Sequence, residues 1–180
     1  MKPVRFHSWN ISPNEAIAIQ NNLSKKIVLS PVSNDIKYIG GTGVAFDLEK
    51  NIIHAALTIL KYPSLELVEQ NGVSQEITFD YISGLLTFRE GAPLMSLFRK
   101  TSQDIDLIVF HSHGQSHPRK FGLASHLGVL LDVPSIGVSN KMLVGSHKHL
   151  SQQKHSEKPI LVNGETVGMA LRSKENKKPI

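Results

Sequence analysis

A four-residue apolar run that breaks into a Gly/His/Pro segment and then resumes at helical spacing constrains this chain more than any other feature. It lies in Asp106 to Asp132, which reads DLIVFHSHGQSHPRKFGLASHLGVLLD. Leu107, Ile108, Val109 and Phe110 are consecutive and apolar, the mark of a strand buried on both faces. Phe121, Ala124, Leu127, Leu130 and Leu131 recur at steps of three and four, which gives the next segment one apolar helical face. The order is strand, loop, helix. Ligands of open α/β sheets gather at the carboxyl ends of strands, and helix N-termini attract anions through unpaired N–H groups. Residues 111 to 122 therefore stand where a phosphate or a metal would bind. His111, His113 and His117 fall in that loop with Arg119 and Lys120 just after, and two readings stand at this point: a site, or a solvated basic loop.

The remaining elements follow from local signals. Ser12, Pro13 and Glu15 have capping-box spacing and predict a helix over about Pro13 to Lys26, with Ala16, Ile17, Ile19, Gln20 and Leu23 on a partly apolar face. Lys37 to Phe46, Ile52 to Tyr62 and Ser64 to Gln70 are rich in β-branched and aromatic residues and read as an antiparallel meander. The chain then runs extended from Glu76 to Gly84, and Gly91 to Lys100 reads as a short helix. After the central unit, Ser135 to Val138 is a further buried strand, and the polar, His-rich stretch from Ser146 to Lys158 is a flexible loop. Ile160 to Val162 and Thr166 to Arg172 are strands joined across Asn163 and Gly164, a strong hairpin signal. The order predicts an α/β fold, a mixed sheet close to the ribonuclease H-like arrangement, antiparallel meander first and parallel strands after, with helices on both faces.

The 180 residues suit a single domain, 1 to 180, with a solvated basic tail from about residue 173. There is no cysteine, which excludes disulfides and thiolate metal sites and suits a reducing cytoplasm. No window approaches the roughly 18 apolar residues of a membrane span, and the first residues lack a signal-peptide apolar region. A cytoplasmic protein with no membrane partner is expected. Twenty Lys and Arg against 15 Asp and Glu give a formal charge of +5, which permits polyanion binding without requiring it.

Three blocks resemble the endonuclease V family: Phe79 to Pro93, FDYISGLLTFREGAP; Asp106 to Asp132, above all HPRKFGLASHLGVLLD; and Pro134 to Leu143, PSIGVSNKML. KYPSLELVE, Lys61 to Glu69, adds to the likeness, which spans most of residues 13 to 178. The resemblance implies a ribonuclease H-like fold and Mg²⁺-dependent cleavage of DNA or RNA 3′ to a deaminated purine, inosine. It also implies a side chain that wedges the stack open while the base is flipped into a pocket. Tyr81 and Ile82 match the centre of the family's Pro-Tyr-Ile-Pro wedge, although Asp80 and Ser83 stand where the prolines would be. Gly84 and Leu86 match backbone positions of the base pocket, and His117, Arg119 and Gly122 match pocket and phosphate-facing positions.

The departures fall on the chemistry. Glu90 matches the family's metal-site glutamate, but Gly43 and His111 stand where its two aspartates would be, and Asn140 where its lysine would be. Glu90 would then be the sole anionic ligand beside a neutral imidazole, a weak set for Mg²⁺. Asp47 lies roughly 13 Å further along its strand, too far to replace Gly43. Lys141 is expected on the strand face opposite Asn140. If residues 111 to 113 are extended, His111, His113 and Glu90 make a two-histidine, one-carboxylate set suited to Mn²⁺ or other transition metals; otherwise the site is decayed. Three readings stay open: altered or impaired cleavage of inosine-containing DNA or RNA, non-cleaving recognition of inosine or distortion by a pseudoenzyme, and a shortened relic with no specific ligand. The family continues beyond this hairpin, so apolar sheet surface favouring self-association is expected, with the oligomeric state open.

Overall fold

The structure is a computed structural model that describes residues 3–33 and 35–180. Helix α1 (Pro13–Leu23) opens on the expected capping box, in which the Ser12 hydroxyl accepts the Glu15 N–H while the Glu15 carboxylate accepts the Ser12 N–H. A 3-10 turn, Ser24–Lys26, prolongs it. Strands β1 (Tyr38–Asp47), β2 (Ile52–Lys61) and β3 (Glu66–Glu76) form the meander. β3 runs straight through Asn71 and Gly72, because backbone pairing with β2 from Lys61↔Glu66 to Ile52↔Glu76 overrides their turn preference.

Helix α2 (Leu86–Lys100) begins five residues before the expected Gly91, so Glu90 sits within the helix and is buried. Gly91 does not stop it, since the Trp9 ring occupies the space a side chain would need, with a Cβ meeting its Cη2 at 2.4 Å. β4 (Leu107–Phe110), α3 (Leu123–Leu131) and β5 (Ser135–Gly137) complete the central unit. The sheet order is β3-β2-β1-β4-β5, with β4 parallel to both β1 and β5.

β6 (Glu157–Val162) and β7 (Glu165–Leu171) make a separate hairpin. Asn163 and Gly164 both have positive φ, the geometry of the tight primed turn that this dipeptide favours. The stretch before it is anchored, through the Ser146↔Leu161 bridge and the buried Leu150, rather than loose. The tail also differs from expectation. Its lysines are exposed, but Leu171 and Ile180 exchange backbone hydrogen bonds of 2.8 and 2.9 Å, and the buried Arg172 donates to the carbonyls of Ser151 and Lys177.

The core lies between one sheet face and the helices. Ala55, Leu57, Ile59, Ile108 and Phe110 pack with Leu94, Leu97 and Phe98 of α2 and Leu123, Leu127, Leu130 and Leu131 of α3. α1 joins from outside through a second cluster of Ala16, Phe79, Leu85 and Phe88. Among the described residues the expected helices therefore occupy one face of the mixed sheet. On the other, His54 and Ala56 of β2 and Gln70, Gly72 and Ser74 of β3 are exposed. β5 is an edge strand rather than a buried one, with Ile136 43% exposed. No helix among the described residues is long and apolar enough to cross a membrane.

Candidate nucleic-acid interface and metal pocket

The three loop histidines diverge. β4 ends at Phe110, and the Ser112 N–H bonds back to the Phe110 carbonyl at 2.9 Å, so the chain turns where an extended run was needed. His111 is exposed beside Glu90; His113 turns away and places its Nε2 2.7 Å from the Lys141 carbonyl; His117 is buried. The set of His111, His113 and Glu90 does not form, and no group of three or more His, Asp or Glu side chains suited to a metal is present among the described residues.

What forms instead is a small pocket of about 40 Å³ bordered by Thr42, Gly43, Val44, Glu90, Leu94, His111 and Leu123. Burial pushes the Glu90 carboxyl up to about 7, with the neighbouring Arg89 charge working the other way. A Cβ added at Gly43 meets no atom within 4 Å. One partly protonated carboxyl, one exposed imidazole and a glycine fall short of the anionic oxygen donors Mg²⁺ favours, so this donor set does not fit a tightly held resident Mg²⁺. Asp47 is committed elsewhere, accepting the Lys50 N–H at 3.1 Å and pairing with its ammonium at 3.1 Å. Asn140 and Lys141 lie in a bend beyond β5, so strand alternation does not set their directions. They border a separate cleft of about 1060 Å³ between residues 26–33, β5 and the hairpin. This larger cavity is lined by Asp132 and Glu157 but not by Glu90.

The second constellation is tightly built. Gly84 has φ +79°, a conformation glycine adopts without strain, and its carbonyl accepts three donors: Arg119 Nη2 at 2.7 Å, His117 Nε2 at 3.0 Å and Gln20 Nε2 at 3.1 Å. His117 is thereby fixed with its proton on Nε2, and its Nδ1 accepts the Arg119 backbone N–H at 3.2 Å. Burial is the main reason its pKa falls to about 4, with Arg119 and His113 adding repulsion and the bond to Gly84 opposing them. Arg119 points inward, donating from Nε to Gln20 Oε1 at 2.7 Å, and Lys120 pairs with Glu165 on β7, so neither cation of the expected basic loop is free.

Gly122 serves packing. A Cβ there would lie 2.3 Å from the His113 carbonyl oxygen, and its N–H is committed to Gly114 at 2.9 Å, which leaves no donor for a phosphate. Leu86, partly buried, begins α2 and packs against the core. Ile82 packs on the α1 cluster and its carbonyl accepts the Leu85 N–H at 2.9 Å, while Tyr81, one residue before, is 71% exposed.

Sequence reasoning placed Gln20 on a packing face and missed its role as a bridge; the available signal was a polar residue four positions from Ala16 in an apolar stripe. It also missed His7, whose Nε2 lies 2.8 Å from that of the buried His126. Neither ring has a sequence neighbour that signals the other.

A sequence model described as Endonuclease V matches residues 21–180. Endonuclease V of Gloeobacter violaceus is 38% identical over 178 residues, 97% of this chain and 72% of that protein. The crystal structure of endonuclease V from Streptomyces avermitilis superposes with a TM-score of 0.88 at 33% identity, covering 96% of this chain and 76% of that one. Endonuclease V of Ciona intestinalis, a D-to-N variant in complex with a 23mer DNA containing an inosine followed by a ribo-adenosine, matches with a TM-score of 0.68 at 26% identity, over 76% of this chain and 61% of that one.

Proposed function

The chain belongs to the endonuclease V family, and from that premise we propose that it recognises inosine in DNA or RNA while metal-dependent cleavage 3′ to the lesion is impaired. The observation that carries the reading is the contrast between the two constellations. Tyr81 projects into solvent from a turn tied down at Gly84, whereas the pocket at Glu90 has a glycine and an imidazole where a cation needs carboxylates. A flipped purine leaves a gap in the stack that an aromatic ring fills, and an exposed tyrosine on an anchored turn meets that need. Contacts from backbone and Tyr81 do not depend on the metal, so recognition can outlast hydrolysis.

Hydrolysis makes the greater demand. A metal-activated water and charge neutralisation at the phosphate both require a cation held in place. Here the one carboxyl near it is pushed up to about 7 by burial, which disfavours its anionic form. Mg²⁺ is accordingly expected to bind weakly, Mn²⁺ somewhat better beside an imidazole. The non-cleaving reading is favoured by Gly43, which supplies no donor atom at a position with room for one.

The test uses labelled inosine-containing and adenine control oligonucleotides, as DNA and as RNA, in Mg²⁺, Mn²⁺ and EDTA, with nicking and retention measured together. Inosine-selective retention with slow or absent nicking is the expected result. Rapid nicking in Mg²⁺ that vanishes in Glu90→Ala would reject the impaired-cleavage reading. Equal retention of inosine and control would reject recognition.

A further inference from the structure

We propose that Gln20 is a positioning residue for lesion reading: it locks the Tyr81 turn in place by holding the Gly84 carbonyl and the Arg119 guanidinium at once. This deepens the proposed function and rests on it. Gln20 is fully buried in α1, and its amide joins three segments distant in sequence. Nε2 donates to Gly84 at 3.1 Å and to the Phe121 carbonyl at 3.3 Å, while Oε1 accepts from Arg119 Nε at 2.7 Å. Burial of a carbonyl is satisfied by one or two donors, since the oxygen has two lone pairs. Gly84 receives three, two of them from side chains that also contact each other's surroundings through Gln20 and His117 Nδ1. The excess fixes a position as well as satisfying a polar group.

What is held is the turn. Leu85 N–H closes it on Ile82, Arg89 Nη1 ties its start at the Phe79 carbonyl at 2.9 Å, and Tyr81 projects between these two anchors. Neither Asp80 nor Ser83 donates its backbone N–H to another described residue, so the Leu85-to-Ile82 bond is the one backbone brace within the turn among the described residues. The three side-chain donors at Gly84 add stiffness from outside that single backbone bond. A ring that fills a gap in a base stack gains less when it must first be ordered, because the ordering entropy is subtracted from the contact.

The experiment compares retention of inosine and adenine control duplexes by the full chain in EDTA, for the wild type, Gln20→Leu, and Gln20→Leu carrying Asp80→Pro and Ser83→Pro. Leucine approximates the volume and removes both donor and acceptor, leaving net charge unchanged. Gln20→Leu is expected to lower the inosine-to-control affinity ratio at least fivefold, with control binding and its salt dependence within twofold of wild type. The prolines are expected to restore the ratio, since they fix φ by another route and remove no hydrogen bond; a role confined to core packing would not be rescued in this way.

A wild-type ratio retained in Gln20→Leu, or a lost ratio that the prolines fail to restore, overturns the clamp while leaving the proposed function standing. A wild type with no inosine preference overturns both. Amide exchange in the wild type decides the same point even where Gln20→Leu does not fold. Leu85 N–H is expected to be protected like the amides of α2, and exchange at the rate of a free loop overturns the clamp.

Discussion

Gly43 and Glu90 border the same small pocket, yet only Glu90 carries a group that a cation can use, and the space beside Gly43 is open. Gly43 pairs with the exposed Ala56 on the sheet face that no described helix covers. An aspartate there would be solvated and ionised at neutral pH. Gly43→Asp with His111→Asp is therefore expected to raise Mn²⁺ affinity at least tenfold over wild type by isothermal titration calorimetry, and to raise the rate of inosine-dependent nicking. No gain in either quantity would show that two added carboxylates do not make this pocket a cation site.

Tyr81→Ala tests the wedge. Base–aromatic stacking is worth roughly 1–3 kcal/mol per base, so inosine retention should weaken by roughly 5- to 140-fold. Thermal stability should move by less than about 0.5 kcal/mol, because the side chain is exposed and away from the core. A stable variant with undiminished selectivity would remove Tyr81 from recognition.

Glu90 and His117 give stability opposite dependences on pH. The unfolded chain releases the Glu90 proton near 4.5, whereas the folded chain keeps it to about 7, so this group costs stability progressively as pH rises from 4.5 through 7. Glu90→Gln is expected to raise the melting temperature at pH 8, by on the order of 2–3 kcal/mol in stability, and to change it little at pH 4. A gain of equal size at both pH values would contradict the desolvated carboxyl.

For His117 the sign is reversed. Its folded pKa of about 4 lies below the unfolded 6.5, so the folded protein excludes a proton that the unfolded chain binds, and stability falls as pH drops from 6.5 toward 4. The depressed pKa of His126, lowered by burial and then by His7 and His117, acts in the same direction. NMR titration should find the His117 imidazole neutral down to about pH 4, with its proton on Nε2. A midpoint near 6.5 would mean that the bond to Gly84 is not maintained in solution.

Gly122→Ala probes the loop without touching a charged group. Its Cβ would sit 2.3 Å from the His113 oxygen and 2.8 Å from the His113 carbonyl carbon, both backbone atoms that a rotamer change cannot move. A destabilisation of about 1–3 kcal/mol is expected by chemical denaturation, as for overpacked cores. A neutral result would require residues 113–114 to shift freely.

Local chemistry wrote the parts that the sequence declared. The capping box at Ser12 and Glu15, the strand Leu107–Phe110, the helix behind it and the turn at Asn163 and Gly164 each depend on residues a few positions apart, and each stands where its pattern placed it. That Gly43 and His111 carry no carboxylate was equally legible, because a missing donor needs no fold to be seen. Tertiary structure alone decided that α2 starts at Leu86 before Glu90, since Trp9 packs against Gly91 from 82 residues away. It alone separated His111, His113 and His117, and it alone joined Gln20 to Gly84 and Arg119, across 64 and 99 residues of chain. Such bonds form because burial leaves polar groups no water to turn to, and which partners they find is set by how the helices stack on the sheet rather than by spacing along the chain.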